Sequence, residues 1–341
     1  MEAVSERSGV LEQGPKNLEG MPAWFNESRQ AGWKRFEELP MPSRLDEEWR
    51  FASLGQLNFE GVHFPDPEPP AGHRGAAGLE ERSARFGFIN DTLNEAESNL
   101  PDGVICMPLD RALAEHPELV REHFMKGEAK LGSAKFAALH QAHVSCGMFI
   151  YVPDDVQVSH PIEVFHWLSG DHIITFPHTL MVTGRNAEVT VVDYFQSDTT
   201  ARDAWAVAMN DLVAGPGSRL NYLVLQDLCD RARMIQVNST SVARDASAKA
   251  FILNAGAAWA RQESLSRLEG ENSRSDMLSV SIARDRQEYD QRTFQHHACP
   301  QSYSDLLYKN TLYDDSRTVF SGLILVDEGA HYTDAYQTCR N

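Results

Sequence analysis

The chain has 341 residues, of which 42% are hydrophobic and 23% charged, a globular composition long enough for one large domain or two ordinary ones. Its formal net charge of −18, from 49 acidic and 31 basic residues, opposes phosphate backbones, so no nucleic acid partner is expected. No apolar run approaches the about 18 residues that span a membrane, and MEAVSERSGVLEQGPKN at the start is not a secretory signal; a cytoplasmic location without a membrane partner is expected.

In chain order, residues 1–20 are polar and mixed and are expected to form a mobile tail. Pro22–Leu39 reads as a helix with Phe25, Trp33 and Phe36 on one broad face, stopped by Pro40 and Pro42. Arg29 falls within that apolar face, where its stem would pack with the charge in water. After DEEWRFASLGQL (46–57), the Pro- and Gly-rich stretch from His63 to Gly78 reads as a loop. Arg85–Ile89 and Val104–Met107 look like short strands. Leu109, Ala112 and Leu113 mark a small helix, Pro117 suits the first turn of another, and Ser133 is placed to cap a third over Ala134–Ala142. Residues 21–146 are thus read as a small α-rich N-terminal domain.

From Gly147 the helical spacing gives way to short β-rich runs. Leu278, Val280 and Ile282 alternate with Ser279 and Ser281; Ile235 and Val237 alternate with Gln236 and Asn238; Ala248, Ala250 and Ile252 alternate with Lys249 and Phe251. Such alternation means strands with one buried face. Small or polar corners introduce them: Asn186-Ala187-Glu188, Gly217-Ser218-Arg219, Asp245-Ala246-Ser247, Glu271-Asn272-Ser273, Asp315-Ser316-Arg317 and Gly329-Ala330-His331. The first four recur at steps of roughly 26 to 31 residues, a loose repeat. A β-solenoid and a β-sandwich both fit this texture.

Cys106, Cys146, Cys229, Cys299 and Cys339 are widely spread and contain no C-x-x-C pair, which speaks against a disulfide framework or zinc knuckle and for reduced thiols. His296, His297 and Cys299 are the densest group of soft ligands. Neighbours on a strand point to opposite faces, so only His297 and Cys299 could share an ion. The plainer reading is a histidine packed at a coil corner with its ring nitrogen satisfied. His140, His143 and Cys146 form a second group, with the two histidines on one helical face. Cys339 reads as a small buried residue. Asp193, Asp211 and Asp227 invite comparison with stacked carboxylates of carbohydrate-cleaving β-helices, although solvated coil positions explain them more simply. No Walker A, G-x-G-x-x-G, H-E-x-x-H or Ser–His–Asp order is present. No catalytic residue, no stoichiometric metal and no stably bound cofactor are expected.

Three stretches carry a family resemblance: LPMPSRLDEEWRFASLGQL (39–57), KFAALHQAHVSCGMFIYVPDDVQVSHPIEV (135–164), and the region from Asp290 to Asn341 with RTFQHHACPQSYSDLLYK and VFSGLILVDEGAHYTDAYQTCRN. They resemble scaffold subunits of the SUF iron–sulfur cluster assembly system, the SufB/SufD family; residues 200–285 match in texture only. The D type is favoured by the Trp49–Phe51 motif and by the lack of the Cys-rich N-terminal motif of the B type. The resemblance implies a mostly β protein with a right-handed parallel β-helix core over 147–341, and His297 stands where the family has a recurring histidine. It implies a non-enzymatic scaffold subunit, with a SufB-like paralogue and a SufC-like ABC ATPase as partners and a homodimer as the other assembly. The cluster would be carried only transiently in the complex. Sheets near residues 305–341 would run on into the partner subunit. Family members continue past the motif at Asn341 into a C-terminal helical domain, so a chain lacking that end is expected. The rival readings are a B-type subunit carrying the cluster, a β-helical polysaccharide lyase or hydrolase, and a stand-alone metal-binding protein using His297 and Cys299.

Overall fold

The computed structural model describes residues 9–66 and 77–341; the start of the expected tail and most of the Pro- and Gly-rich loop lie outside the described residues. Residues 9–20 run along the first helix: Val10 is buried, Asn26 is hydrogen-bonded twice to Leu18, and Gln30 Nε2 donates to the Pro15 carbonyl.

The first helix, Ala23–Glu38, begins after Pro22 and buries Phe25, Arg29, Gly32 and Phe36. Gly32 is required by close approach, since a Cβ there would lie 2.9 Å from the Ala142 nitrogen of the helix Ala134–His143. Arg29 corrects the expectation that its charge would stay in water. It is 5% exposed, its Nη1 donates to the Lys16 carbonyl at 2.7 Å, and burial lowers its pKa to about 10. Ser133 precedes the helix Ala134–His143 but makes no side-chain cap; its hydroxyl instead donates to Glu263 at 2.6 Å.

From Met148 onward consecutive strands alternate between two sheets and form a parallel β-helix of about seven coils. One sheet runs through Ile162–Leu168, Glu188–Ser197, Arg219–Asp227, Ser247–Asn254, Arg274–Ala283, Tyr303–Leu312 and Asp334–Arg340. The other runs through Met148–Val152, His178–Thr183, Trp205–Ala214, Arg233–Val242, Trp259–Leu268, Glu288–His297 and Arg317–Val326. The coils pair in parallel, as in Arg233 beside Trp205 and Trp259, whereas a sandwich of hairpins would pair antiparallel. Both sheets begin inside the N-terminal region. The hairpin Ala84–Ile89 with Thr92–Ser98 extends the first sheet, and Ile105–Pro108 pairs antiparallel with Met148–Val152 in the second.

Corner chemistry explains the coils. Asn186, Gly217, Asp245 and Asn272 all adopt left-handed backbone with φ of 55°, 68°, 59° and 59°, a conformation that Gly, Asn and Asp tolerate. Their side chains also tie one coil to the next: Asn186 Nδ2 donates to Asp155 and Asn272 Nδ2 to Asp245, each at 2.8 Å. Asp315-Ser316-Arg317 lies on the opposite corner, where Asp314 is the left-handed residue.

The outer faces of the two sheets differ. Strands of the first, such as Arg219–Asp227, alternate between buried and more exposed positions, so this sheet is open. Those of the second, such as Trp205–Ala214, are buried almost throughout because the N-terminal region covers their outer face. Phe59 stacks on Trp205 at 4.3 Å and Trp49 on Trp259 at 6.4 Å. Each such ring removed from water contributes about 1.5–3 kcal/mol.

Alternation identified the strands but reversed their faces in the distal coils. Ser279 and Ser281 are buried and point into the lumen, while Ile282 on the other face is 43% exposed. Gln236 and Asn238 likewise face the lumen, and Ile235 packs outward against Phe136, Trp205 and Trp259 under the N-terminal cover.

Candidate functional site

The distal coils gather the residues that the sequence singles out. His296 and His297 end the strand Glu288–His297 and diverge to opposite faces, as a strand requires. His296 Nε2 pairs with Asp327 at 3.0 Å on the outside. His297 is wholly buried in the lumen, with Nδ1 2.7 Å from Ser302 Oγ and Nε2 2.8 Å from Ser304 Oγ. Burial lowers its pKa, with nearby His296 adding to the effect, so its neutral form is favoured. Cys299 turns away at the corner and its Sγ donates to the Glu269 carbonyl at 2.8 Å. Both nitrogens of His297 and the thiol of Cys299 therefore already have partners within the fold. The two serines follow His297 around a coil corner, a juxtaposition that linear spacing does not mark as a site.

The other groups separate in space. His140 Nδ1 bonds the Val207 carbonyl and its Nε2 meets His178 Nδ1 at 3.1 Å, while His178 Nε2 lies 3.4 Å from Asp211. His143 packs among Trp33, Phe64 and Phe176. Cys146 instead faces Asp110, with Sγ 3.6 Å from its carboxylate, and burial pushes its thiol pKa up. Asp193 is buried in the lumen, accepting from Thr179 and Tyr222 and lying 3.2 Å from His166. Asp211 is on the covered outer face, accepting from the Met125 amide, and Asp227 is exposed at a strand end of the open sheet. These three aspartates share no face and do not form the carboxylate groove of a carbohydrate-cleaving enzyme.

Among the described residues, metal-type ligand atoms of three side chains converge at Asp171, His172 and Asp203. Guanidinium groups already engage both carboxylates: Arg202 lies 3.7 Å from Asp171, and Arg231 and Arg233 lie 2.5 and 3.0 Å from Asp203. That arrangement is an ion-pair network at a coil corner.

The distal rim has a different character. Arg317–Val326 and Asp334–Arg340 each end a sheet and pair on one side only, with Glu288–His297 and Tyr303–Leu312 respectively. Leu323, Leu325, Val326 and Tyr336 on these strands are 55%, 43%, 47% and 54% exposed. Cys339, expected to be a small buried residue, is exposed; in register with Tyr308, it lies beside Asn310, whose Nδ2 is 3.6 Å from its Sγ.

Comparison with known proteins agrees with this architecture. Residues 166–341 match the SufBD core domain of SUF-system FeS cluster assembly, and residues 83–164 match the SufBD protein N-terminal region. The chain is 26% identical to the iron–sulfur cluster assembly protein SufD of Bacillus subtilis, over 94% of this chain and 75% of that protein. It is 23% identical to SufB of the same organism, over 89% of this chain and 68% of that protein. A SufBD family protein of Staphylococcus saprophyticus is 22% identical over 90% of this chain and 69% of its own length.

Proposed function

We propose that this chain, which belongs to the SufBD family of iron–sulfur cluster assembly proteins, is a D-type scaffold subunit without enzymatic activity of its own. It works with a B-type paralogue and with an ABC-type ATPase that drives the assembly. The cluster is the cargo of the complex and passes through it without becoming a resident cofactor of this chain.

The observation that carries this reading is the parallel β-helix, whose residues 166–341 match the SufBD core domain. The D type is favoured over the cluster-carrying B type by the likeness to SufD, 26% identity over 94% of this chain, against 23% over 89% for SufB.

The test is hydrogen exchange on the full-length protein with and without its B-type paralogue, with light scattering to fix the stoichiometry. Amides between Tyr303 and Arg340 should gain protection in a one-to-one complex. A complex that forms with no protection gained in this stretch would place the interface elsewhere and overturn the proposal.

A further inference from the structure

The open sheet carries apolar side chains on the face where a solvated sheet normally carries polar ones. Leu223, Phe251, Leu278 and Leu307 stand in register on the outside of four successive coils, from Arg219–Asp227 to Tyr303–Leu312. Two residues further along, Leu225, Leu253 and Val280 form a second row in register, and Ile282 begins a third. Neighbouring rows half-bury one another, while Ile282 is 43% exposed. Among the described residues, no helix packs on these strands. The N-terminal region that covers the second sheet has no counterpart here.

The charges beside these rows fall into two groups. Arg219 pairs with Glu188 at 3.2 Å, and Arg274 pairs with Asp276 at 2.9 Å, so these four are satisfied within the chain. Lys249 and Asp305 have neither a hydrogen bond nor an ion pair among the described residues. Their placement is symmetric. Asp276 is in register with Lys249 on one neighbouring strand and with Asp305 on the other. Two unpaired, opposite charges thus flank the strand Arg274–Ala283 at the same level, one on each side.

We propose that this face is a contact between two copies of the chain, related by a two-fold axis lying along the strand Arg274–Ala283. That axis exchanges the strands on either side, so Lys249 of each copy falls opposite Asp305 of the other, and Phe251 opposite Leu307. Leu278, Val280 and Ile282 lie on the axis and meet their own symmetry mates, which covers the exposed isoleucine. Lys309, in register with Val280, would lay its stem over Leu253 of the other copy. Five strands of this sheet present a surface of roughly 800 Å², from about 4.8 Å between strands and about 3.3 Å per residue, which is the size of one side of a standard specific interface. Only a second copy uses the symmetry of the two charges; an unrelated apolar partner would leave Lys249 and Asp305 without a reason to be spaced evenly about one strand. The inference does not depend on the cluster-assembly reading, since the copies meet on a sheet face and not through a paralogue.

The experiment is sedimentation velocity on the full-length protein alone, over a range of concentrations. The parent should be a reversible dimer. Ile282→Glu, at an exposed position on the axis, should weaken association by about tenfold or more. Lys249→Glu and Asp305→Lys should each weaken it by a similar factor, because each sets like charges against one another twice across the axis. Mixed in equal amounts, these two variants should recover the dimer, since every reversed charge then faces its opposite on the other copy. Contacts within one chain cannot produce that recovery, so it reads the interface even if one variant is less stable than the parent. Three results would overturn the proposal: a parent that stays monomeric at its highest soluble concentration; a dimer that Ile282→Glu leaves as tight as before, which means the copies meet elsewhere; or a mixture no tighter than its components, which means that Lys249 and Asp305 do not face each other.

Discussion

In the proximal coils Val189, Val191, Phe195, Leu220 and Val224 fill the lumen, whereas in the distal coils Gln236, Gln262, Asn254, Ser279, Ser281 and Gln291 occupy it. The ladder is the same in both halves, with parallel pairing and left-handed corners throughout. The filling differs because the distal side chains bond across the lumen from sheet to sheet. Asn254 exchanges two hydrogen bonds with Gln262, and Gln291 Nε2 reaches Ser279 and Ser281. The proximal lumen admits one carboxylate, Asp193, and surrounds it with Thr179, Tyr222 and His166. A narrow two-sheet lumen therefore tolerates polar filling where partners face each other at hydrogen-bond distance.

The comparison breaks most visibly at Phe195. It is fully buried in the proximal lumen, stacked 5.1 Å from His166. Phe195→Ala removes apolar contacts and leaves a cavity, with an expected loss of about 3–5 kcal/mol. Chemical denaturation checks this. A loss below about 1 kcal/mol would mean that the proximal lumen is no more closely packed than the distal one.

The cover over the second sheet supplies the next largest effect, and it depends on pH. His143 is 8% exposed among Trp33, Phe64 and Phe176, and burial, with Arg29 adding to it, lowers its pKa to about 4. His140, facing His178 and the Val207 carbonyl, is lowered by burial in the same direction. For a base whose folded pKa lies below its unfolded value of about 6.5, the unfolded state takes up the proton first. Stability is thus independent of these groups above pH of about 6.5 and falls as pH drops from there towards 4, by up to about 3 kcal/mol for His143. Hydrogen exchange should show helices Ala23–Glu38 and Ala134–His143 losing protection in that window before the proximal strands do. His143→Phe should flatten the acid limb. An unchanged limb would assign the acid sensitivity to other groups.

How much of this was legible follows the same division. The corner residues Asn186, Gly217 and Asp245 were readable because left-handed backbone selects them on chemical grounds visible in one dimension. The strands were readable from period-two alternation. Their orientation was not, because which face counts as inside depends on the cover: Ile235 is apolar and points outward, to Phe136 and Trp259, which lie far away in sequence. Arg29 and Ser133 escaped for a related reason. Each forms a bond to a distant element, the Lys16 carbonyl and Glu263, that outcompetes the local role its position suggests. His297 was found, but its partners Ser302 and Ser304 only come into reach when the chain turns a corner.

The smallest effect separates polar filling that has partners from polar filling that lacks them. Gln295 is fully buried, in register with Ser266, and neither its Oε1 nor its Nε2 has a hydrogen-bond partner among the described residues. Gln291, two residues earlier, uses its Nε2 on two serines. An unpaired buried amide costs about 1–3 kcal/mol, so Gln295→Leu, close in volume, should stabilise the protein by about 1 kcal/mol. Gln291→Leu deprives Ser279 and Ser281 of a donor and should destabilise it by a similar amount. The pair of thermal melts therefore has opposite expected signs. If both variants lose stability, Gln295 is hydrogen-bonded through water held in the lumen, and the distal filling is a hydrated network throughout. If both gain, the serine contacts contribute less than the desolvation of the amide, and the distal lumen is polar for a reason other than stability.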